Sequence, residues 1–557
     1  MSATATRTPA APAPVVPAGA GALAGTGTLV RFMLRRDRVR IPVWIGAIAG
    51  FTVLSAASLP GVYLEDADRQ VRAELMANPG TAAVTGPGYG LDDYTFGAMI
   101  ANELLSWSAI FVALMSLLLM VRHTRAEEET GRAELVRAAV VGRHAHTTAA
   151  LVVVGGASLV LGALTGLGLG SLGLESVSWG SSLLFGAGLA GIGVVFAAVA
   201  AVTAQVSQHA RGAGGLAGAA LAVAYLLRAA GDMSAVDQPG AGTLSWLSPI
   251  GWAQQTRVYV DDRWWPLLLP VLLAAALVTL AYGLSSRRDV GAGLVEPRPG
   301  KPVAPRSLAS PLGLAWRLHR SGLLWWGVAL FLFSLGYGSL VAEVEDFVSE
   351  MSAVQDWISG AGDSLIEGFL AVVVQLWATA VAVFGVLAML RLRSEESAGR
   401  VEPLLATAVS RTRWVASHLL VSLGGSAVLL ALSGLGLGLT AGAAMDDAGL
   451  TVRLVGAAVA HLPAVALTVG LGVALFGLAP RATVLVWLVI AYSAVIVNFL
   501  TLLGLPDWTG NLSPFGHVPM LPAEPVRWTP LVLLSLVAAA LIALGLAGFR
   551  RRDLETK

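Results

Sequence analysis

The chain contains no cysteine, which excludes disulfides, thiolate-bound metals and a cysteine nucleophile. Lysine is nearly missing too: Lys301 and Lys557 stand alone among the basic residues, and the rest are arginine. With the excess of Gly, Ala, Leu and Val, that points to a GC-rich bacterial genome. Charge is scarce, at 13% of residues against roughly 25% in soluble domains. A soluble enzyme of ordinary composition is excluded, and a polytopic membrane protein is expected. The formal net charge of +1 offers no bulk attraction to nucleic acid. No G-x-x-x-x-G-K-[S/T] phosphate loop exists, since the one Gly-Lys pair, Gly300-Lys301, runs into Pro302. The chain therefore has no visible means of hydrolysing ATP. It has no H-E-x-x-H, and no G-x-S-x-G in a context that would make a nucleophile. The eight histidines are scattered. His144 and His146 read as a solvated interfacial pair, not as metal ligands, so no metal, cofactor or catalytic residue is expected in this chain.

What is abundant is apolar sequence, 56% of the chain. A membrane-spanning helix needs about 20 mostly apolar residues. About twelve stretches qualify, near 41–59, 96–121, 147–168, 181–204, 213–229 and 264–284, then 322–340, 366–390, 414–438, 454–478, 483–503 and 530–549. The expected fold is an all-α polytopic membrane protein of about 12 transmembrane helices in two parallel six-helix halves. The divisions are a disordered cytoplasmic tail at 1–28, a first half at 29–290, a linker at 291–312 and a second half at 313–557. With the amino terminus inside, cytoplasmic segments hold 29 of the 36 basic residues and outer loops hold 6. That bias puts both termini in the cytoplasm of a multi-pass protein in the bacterial plasma membrane. Arg31–Arg40 reads as an interfacial helix, with a weaker counterpart at Leu314–Arg320. Tyr63–Asn78 reads as an amphipathic helix and Gly86-Pro-Gly-Tyr-Gly90 as a turn.

One charged stretch occurs twice. Arg125–Arg143 and Arg393–Arg411 agree at 9 of 19 positions without gaps, 268 residues apart. The shared residues include Glu127/Glu395, Glu128/Glu396, Gly131/Gly399, Arg132/Arg400, Glu134/Glu402 and Arg143/Arg411. Two more features recur in the same order, Leu247-Ser-Pro249 with Leu512-Ser-Pro514, and Arg287-Arg-Asp289 with Arg551-Arg-Asp553. Six spans per half return the chain to its starting side, so the repeats are parallel. A positive-inside connector would explain the arginines of the loop. It would not explain paired glutamates, a central glycine and a second copy. Acids, a glycine break and a short apolar helix (Leu135–Val141, Leu404–Val409) suit docking into a groove on another protein.

Two six-span halves with E-E-x-x-G-R-x-E between the second and third spans resemble the permeases of ATP-binding-cassette exporters, in particular the duplicated antibiotic or multidrug exporter type. The resemblance implies that each loop is a coupling helix seated in a separate ATPase subunit, present in two copies and carrying ATP and Mg. It assigns docking to Glu127, Glu128, Gly131, Arg132, Glu134, Arg143, Glu395, Glu396, Gly399, Arg400, Glu402 and Arg411. It further implies alternating access and outward movement of a small lipophilic, drug-like compound. Gln375, His461 and Asn498 are polar residues within spans and candidates for the substrate path, although packing or a hydrogen bond to a neighbouring helix is the commoner reason for such residues. Two other classes remain open: an ion-coupled secondary transporter of twelve spans, and a membrane-embedded enzyme acting on lipid-linked substrates.

Overall fold

The structure is a computed structural model and describes residues 21–137, 141–237, 242–289, 291–296, 300, 302–341, 365–499 and 506–554. The acidic segment 342–363, Pro297, Pro299 and Lys301 of the linker, and the end of the expected span 483–503 lie outside these residues. The chain forms two compact units, Met1–Pro299 and Gly300–Lys557. Among the described residues, regular structure is helical apart from one isolated bridge between Ser207 and Val295.

Among the described residues, eleven helices are long and apolar enough to cross a membrane. In the first unit they are Arg40–Val62, Phe96–Glu129, Ala145–Gly170, Trp179–Val206, Ala210–Val236 and Trp265–Ser285. In the second they are Pro311–Ser339, Ile366–Ser397, Arg411–Ala444, Ala448–Leu478 and Trp528–Arg551, with the shorter apolar helix Pro480–Ile496 in fifth place. The protein is thus an all-α polytopic membrane protein. Each unit packs its own core, around Met115, Leu161, Phe185 and Phe196 in the first and Phe384, Trp414, Leu429 and Phe476 in the second. Burial grades the spans. The apolar window of Trp179–Val206 is 72% buried and that of Trp265–Ser285 only 17%. The fourth span is therefore central, whereas the sixth turns its leucines outward, as a lipid-facing helix must.

Small residues set how closely the spans approach. A Cβ on Gly186 would run into the carbonyl oxygen of Gly162, and one on Gly477 into that of Gly545. Such close backbone approach provides dispersion contact where no hydrophobic drive exists between helices in lipid. Caps begin the helices: the Ser178 hydroxyl accepts from Ser181 N at 3.1 Å, and Ser410 from Arg413 N at 3.3 Å.

Three local expectations change. A separate amphipathic helix precedes the first span, Thr26–Arg36, and the chain breaks at Asp37 before Arg40. The buried Asp37 carboxylate there sits 3.3 Å from Arg122 and 3.1 Å from His123. Its expected counterpart, Leu314–Arg320, is not a separate helix. Ser310 caps and Pro311 starts one unbroken helix, Pro311–Ser339, with no comparable anchor to interrupt it. The amino-terminal tail is held from Gly21 onward: Gly142 N donates to Ala24 O and His144 N to Ala22 O, both at 2.9 Å.

At the end opposite the repeated loop, the first unit carries the helices Asp66–Met76 and Pro79–Thr85. Glu65 and Asp68 form a capping box at the first. Arg72 clamps it to Glu103 through hydrogen bonds of 3.1 and 3.0 Å.

Candidate functional site

Both copies of the repeated loop leave the end of the second span of their unit and turn at a left-handed glycine. Gly131 has φ +73° and Gly399 φ +72°, and open space surrounds the position of a Cβ at both. Glycine is needed there for backbone conformation rather than room. The turns close alike, Gly131 N donating to Glu128 O at 3.1 Å and Gly399 N to Glu396 O at 2.9 Å. Short helices follow, Arg132–Arg137 and Val401–Leu405. Residues 138–140 and the Leu135 side chain lie outside the described set, so the apolar face expected from Leu135 to Val141 is described only at its ends.

The second glutamate of each pair points inward. Arg288 reaches Glu128 with two hydrogen bonds, 2.9 and 2.7 Å, and the Arg125 guanidinium shares the same carboxylate. In the second unit Arg552 reaches Glu396 with bonds of 2.6 and 2.7 Å, and Arg393 lies 4.0 Å away. Arg288 and Arg552 are the middle residues of the two Arg-Arg-Asp repeats. Two features that recur separately in the sequence are therefore one device, a bidentate ion pair from the loop to the end of the sixth span. The closing arginines add a second tie. Arg143 donates to Ser286 O at 2.8 Å, and Arg411 to Arg552 O at 2.6 Å and Arg550 O at 3.4 Å. These carbonyls terminate the sixth spans, where a cation complements the helix dipole. Arg288 also donates to Gln205 Oε1 at 2.7 Å, which brings the fourth span into the first cluster.

The first glutamates differ between the copies. Glu127 pairs at 2.7 Å with Arg36 of Thr26–Arg36, which joins the amphipathic helix to the loop. Glu395 accepts from Arg400 at 2.6 and 3.0 Å and from Arg391 at 2.9 Å, all within its own loop region. Those hydrogen bonds hold the Arg400 guanidinium above its ordinary pKa. Arg132 has no equivalent: its side chain is 67% exposed and 3.9 Å from Glu127. The outward surface of the first loop is Glu129, Thr130, Arg132 and Glu134, and that of the second is Ser397, Arg400, Glu402 and Pro403. The twelve expected docking residues thus divide. Glu127, Glu128, Glu395 and Glu396 build the loops from inside, while Arg132, Glu134, Arg400 and Glu402 face outward.

Of the expected substrate-path residues, Gln375 and His461 each bond a backbone carbonyl. Gln375 is buried and donates to Phe515 O at 3.3 Å, beside the second Leu-Ser-Pro. His461 is buried where the helix Leu462–Leu478 begins, its Nδ1 2.9 Å from Ala457 O. Asn498 falls within the helix Val486–Phe499, and its side chain lies outside the described residues. Sequence reasoning missed Arg36 and the roles of Arg288 and Arg552. The Arg-Arg-Asp repeat was visible, but a partner 160 residues distant leaves no local pattern. It also missed the buried contact between His319 Nε2 and His418 Nδ1, 3.1 Å apart, close to Arg391 and Glu395.

Residues 28–284 and 308–550 match the family described as "Multidrug efflux system permease Rv1217c, C-terminal domain". The chain is 42% identical over 536 residues, 95% of each partner, to the "Multidrug efflux system permease protein Rv1217c" of Mycobacterium tuberculosis (strain ATCC 25618 / H37Rv). Long coverage of both halves, at that identity, agrees with the two helical units and their matching loops. The chain belongs to this family of multidrug efflux permeases and is a multi-pass membrane permease.

Proposed function

We propose that this permease is the membrane subunit of an ATP-binding-cassette exporter, moving a lipophilic, drug-like compound outward by alternating access. Its two loops, on the cytoplasmic side with both termini, each seat one copy of a separate ATPase that carries ATP and Mg. The observation that carries this reading is the doubled loop itself: a stapled base, a glycine turn and an exposed charged tip, once per unit. A connector between spans has no need of a buried bidentate ion pair to the sixth span. A part that transmits force does. A pull on the tip, passed through Glu128–Arg288 or Glu396–Arg552, moves the second and sixth spans of a unit together instead of bending the loop.

The acids nearest the spans support this over ion coupling. Glu103 is paired with Arg72, Asp232 of the fifth span with Arg228 at 3.3 Å, and Glu367 lies 3.3 Å from Arg453, so none of the three is a lone carboxylate. The printed name of the Mycobacterium tuberculosis relative supports efflux as the direction.

The test is co-purification of the permease with a co-expressed ATPase subunit. Charge reversal at the exposed Arg132, Glu134 and Glu402 together lowers recovered ATPase at least tenfold, with permease yield unchanged. Recovery of the partner at the level of the unaltered chain would overturn the docking role.

A further inference from the structure

Away from the loops, three uncommon backbone features converge on one cavity of the first unit. The second span opens with a π-helical turn, Ile100–Leu104, a distortion that in helices often accompanies function. The glycine-rich turn Gly86–Gly90 contains Gly86 at φ +120° and Gly90 at φ +70°. The segment between the fifth and sixth spans holds three non-glycine residues at positive φ: Arg257 at 46°, Tyr259 at 63° and Asp262 at 48°. Such strain persists only where the surroundings over-determine it, and it concentrates at binding and active sites.

The three features touch one another. Asn102, in the π-helical turn, holds both backbone groups of Tyr89, donating to Tyr89 O at 2.9 Å and accepting from Tyr89 N at 3.3 Å. Arg257 lies over the Tyr89 ring, 4.6 Å from its centroid. Gln254 donates to Thr85 O at 2.9 Å, and a Cβ on Gly86 would collide with its amide. Tyr259 and Asp262 anchor the strained turn to the fourth span: Ser181 Oγ donates to Asp262 Oδ2 at 2.7 Å, and the Tyr259 and Ser182 hydroxyls are 3.0 Å apart. The result is a rigidly held tyrosine–arginine pair.

That pair borders a cavity of about 580 Å³, also lined by Met76, Leu91, Trp246 and Gln255. The volume suits a small organic molecule, and a wall that mixes apolar side chains with fixed polar groups suits specific recognition. Charge selects the ligand. Arg257 and Arg263 both bond to one oxygen of Asp261, at 2.9 and 2.7 Å. One carboxylate serves two guanidiniums, and the neighbouring Asp262 is engaged by Ser181 and the Tyr259 amide instead of by either arginine. Arg257 Nε has no hydrogen-bond partner among the described residues.

We propose that this cavity binds planar aromatic acids, with the aromatic body against Tyr89 and Trp246 and the acid group on Arg257. The site lies at the end of the first unit opposite the docking loop. Only the side of the membrane from which the ligand arrives rests on the exporter reading; the site does not.

The experiment uses the full chain in lipid nanodiscs without any ATPase, so its failure is separate from failure of docking. Binding of 2-naphthoate and of its neutral analogue 2-naphthamide is measured by isothermal titration calorimetry, with empty nanodiscs as blank. The acid binds saturably and at least fivefold more tightly than the amide. In Arg257→Gln that preference is lost, while Arg257→Lys keeps it. Absence of saturable acid binding, equal affinity for acid and amide, or an undiminished preference in Arg257→Gln would each overturn the proposal. Should Arg257→Gln fail to fold, the acid–amide comparison on the unaltered chain decides alone.

Discussion

Glu128 and Glu396 are carboxylates of a loop that behave like core residues. Glu128 is half-buried and Glu396 buried, and each takes a bidentate arginine from 156 or more residues away. Such a pair adds little over apolar packing, but removing one partner costs up to roughly 3–5 kcal/mol, and less at Glu128, which keeps Arg125. Arg288→Ala and Arg552→Ala should therefore lower thermal stability in detergent by several degrees. The paired variants Glu128→Ala/Arg288→Ala and Glu396→Ala/Arg552→Ala should cost less than the sum of their single changes. Additive losses in that double-mutant cycle would mean the pairs are not energetically coupled. Arg132 is the contrasting case. Its side chain is 67% exposed and its ion pair with Glu127 is long, at 3.9 Å, so Arg132→Ala should leave stability within about 0.5 kcal/mol and act only on partner binding.

At the scale of elements, Gly131 and Gly399 fix how each loop leaves its span. Alanine at either position meets no atom but must hold a left-handed backbone, at about 1–2 kcal/mol. Gly131→Ala should speed amide hydrogen exchange in residues 128–134, and Gly131→Asn, which tolerates that conformation better, should do so less. Packing between spans is as narrowly set. Gly186→Val should drive the third and fourth spans apart, for about 1–3 kcal/mol of overpacking, and broaden the size-exclusion profile of the purified chain. Much of this was legible in the sequence. Eleven of the twelve expected spans are met by helices long enough to cross, and 483–503 by the shorter Pro480–Ile496 within the described residues, because run length is a local property and lipid leaves no other way to satisfy the backbone. The glycine of the loop was legible for the same reason. What was not legible is which arginine each glutamate takes, because Glu127 and Glu128 look alike until Arg36 and Arg288 arrive from distant sequence. The unbroken helix Pro311–Ser339 was equally hidden. Its likeness to Arg31–Arg40 lay in composition, while the break in the first unit depends on Asp37 being buried by Arg122 and His123.

For the whole molecule, duplication has produced two units with the same staple and different tips. Arg400 is tied back to Glu395 at 2.6 Å, whereas Arg132 comes no nearer than 3.9 Å to Glu127 and is 67% exposed. The two docking points should therefore differ in strength, with charge reversal at the first tip costing more partner than reversal at the second. The lack of native cysteine allows the most direct measurement. Single-cysteine variants Arg132→Cys, Arg400→Cys and, at the opposite end, Gly88→Cys are labelled with benzophenone maleimide and photolysed in membranes that also contain the ATPase subunit. The account predicts an adduct between permease and ATPase from R132C and from R400C, and none from G88C. Adducts from G88C, or none from either loop in membranes where the two proteins co-purify, would contradict it.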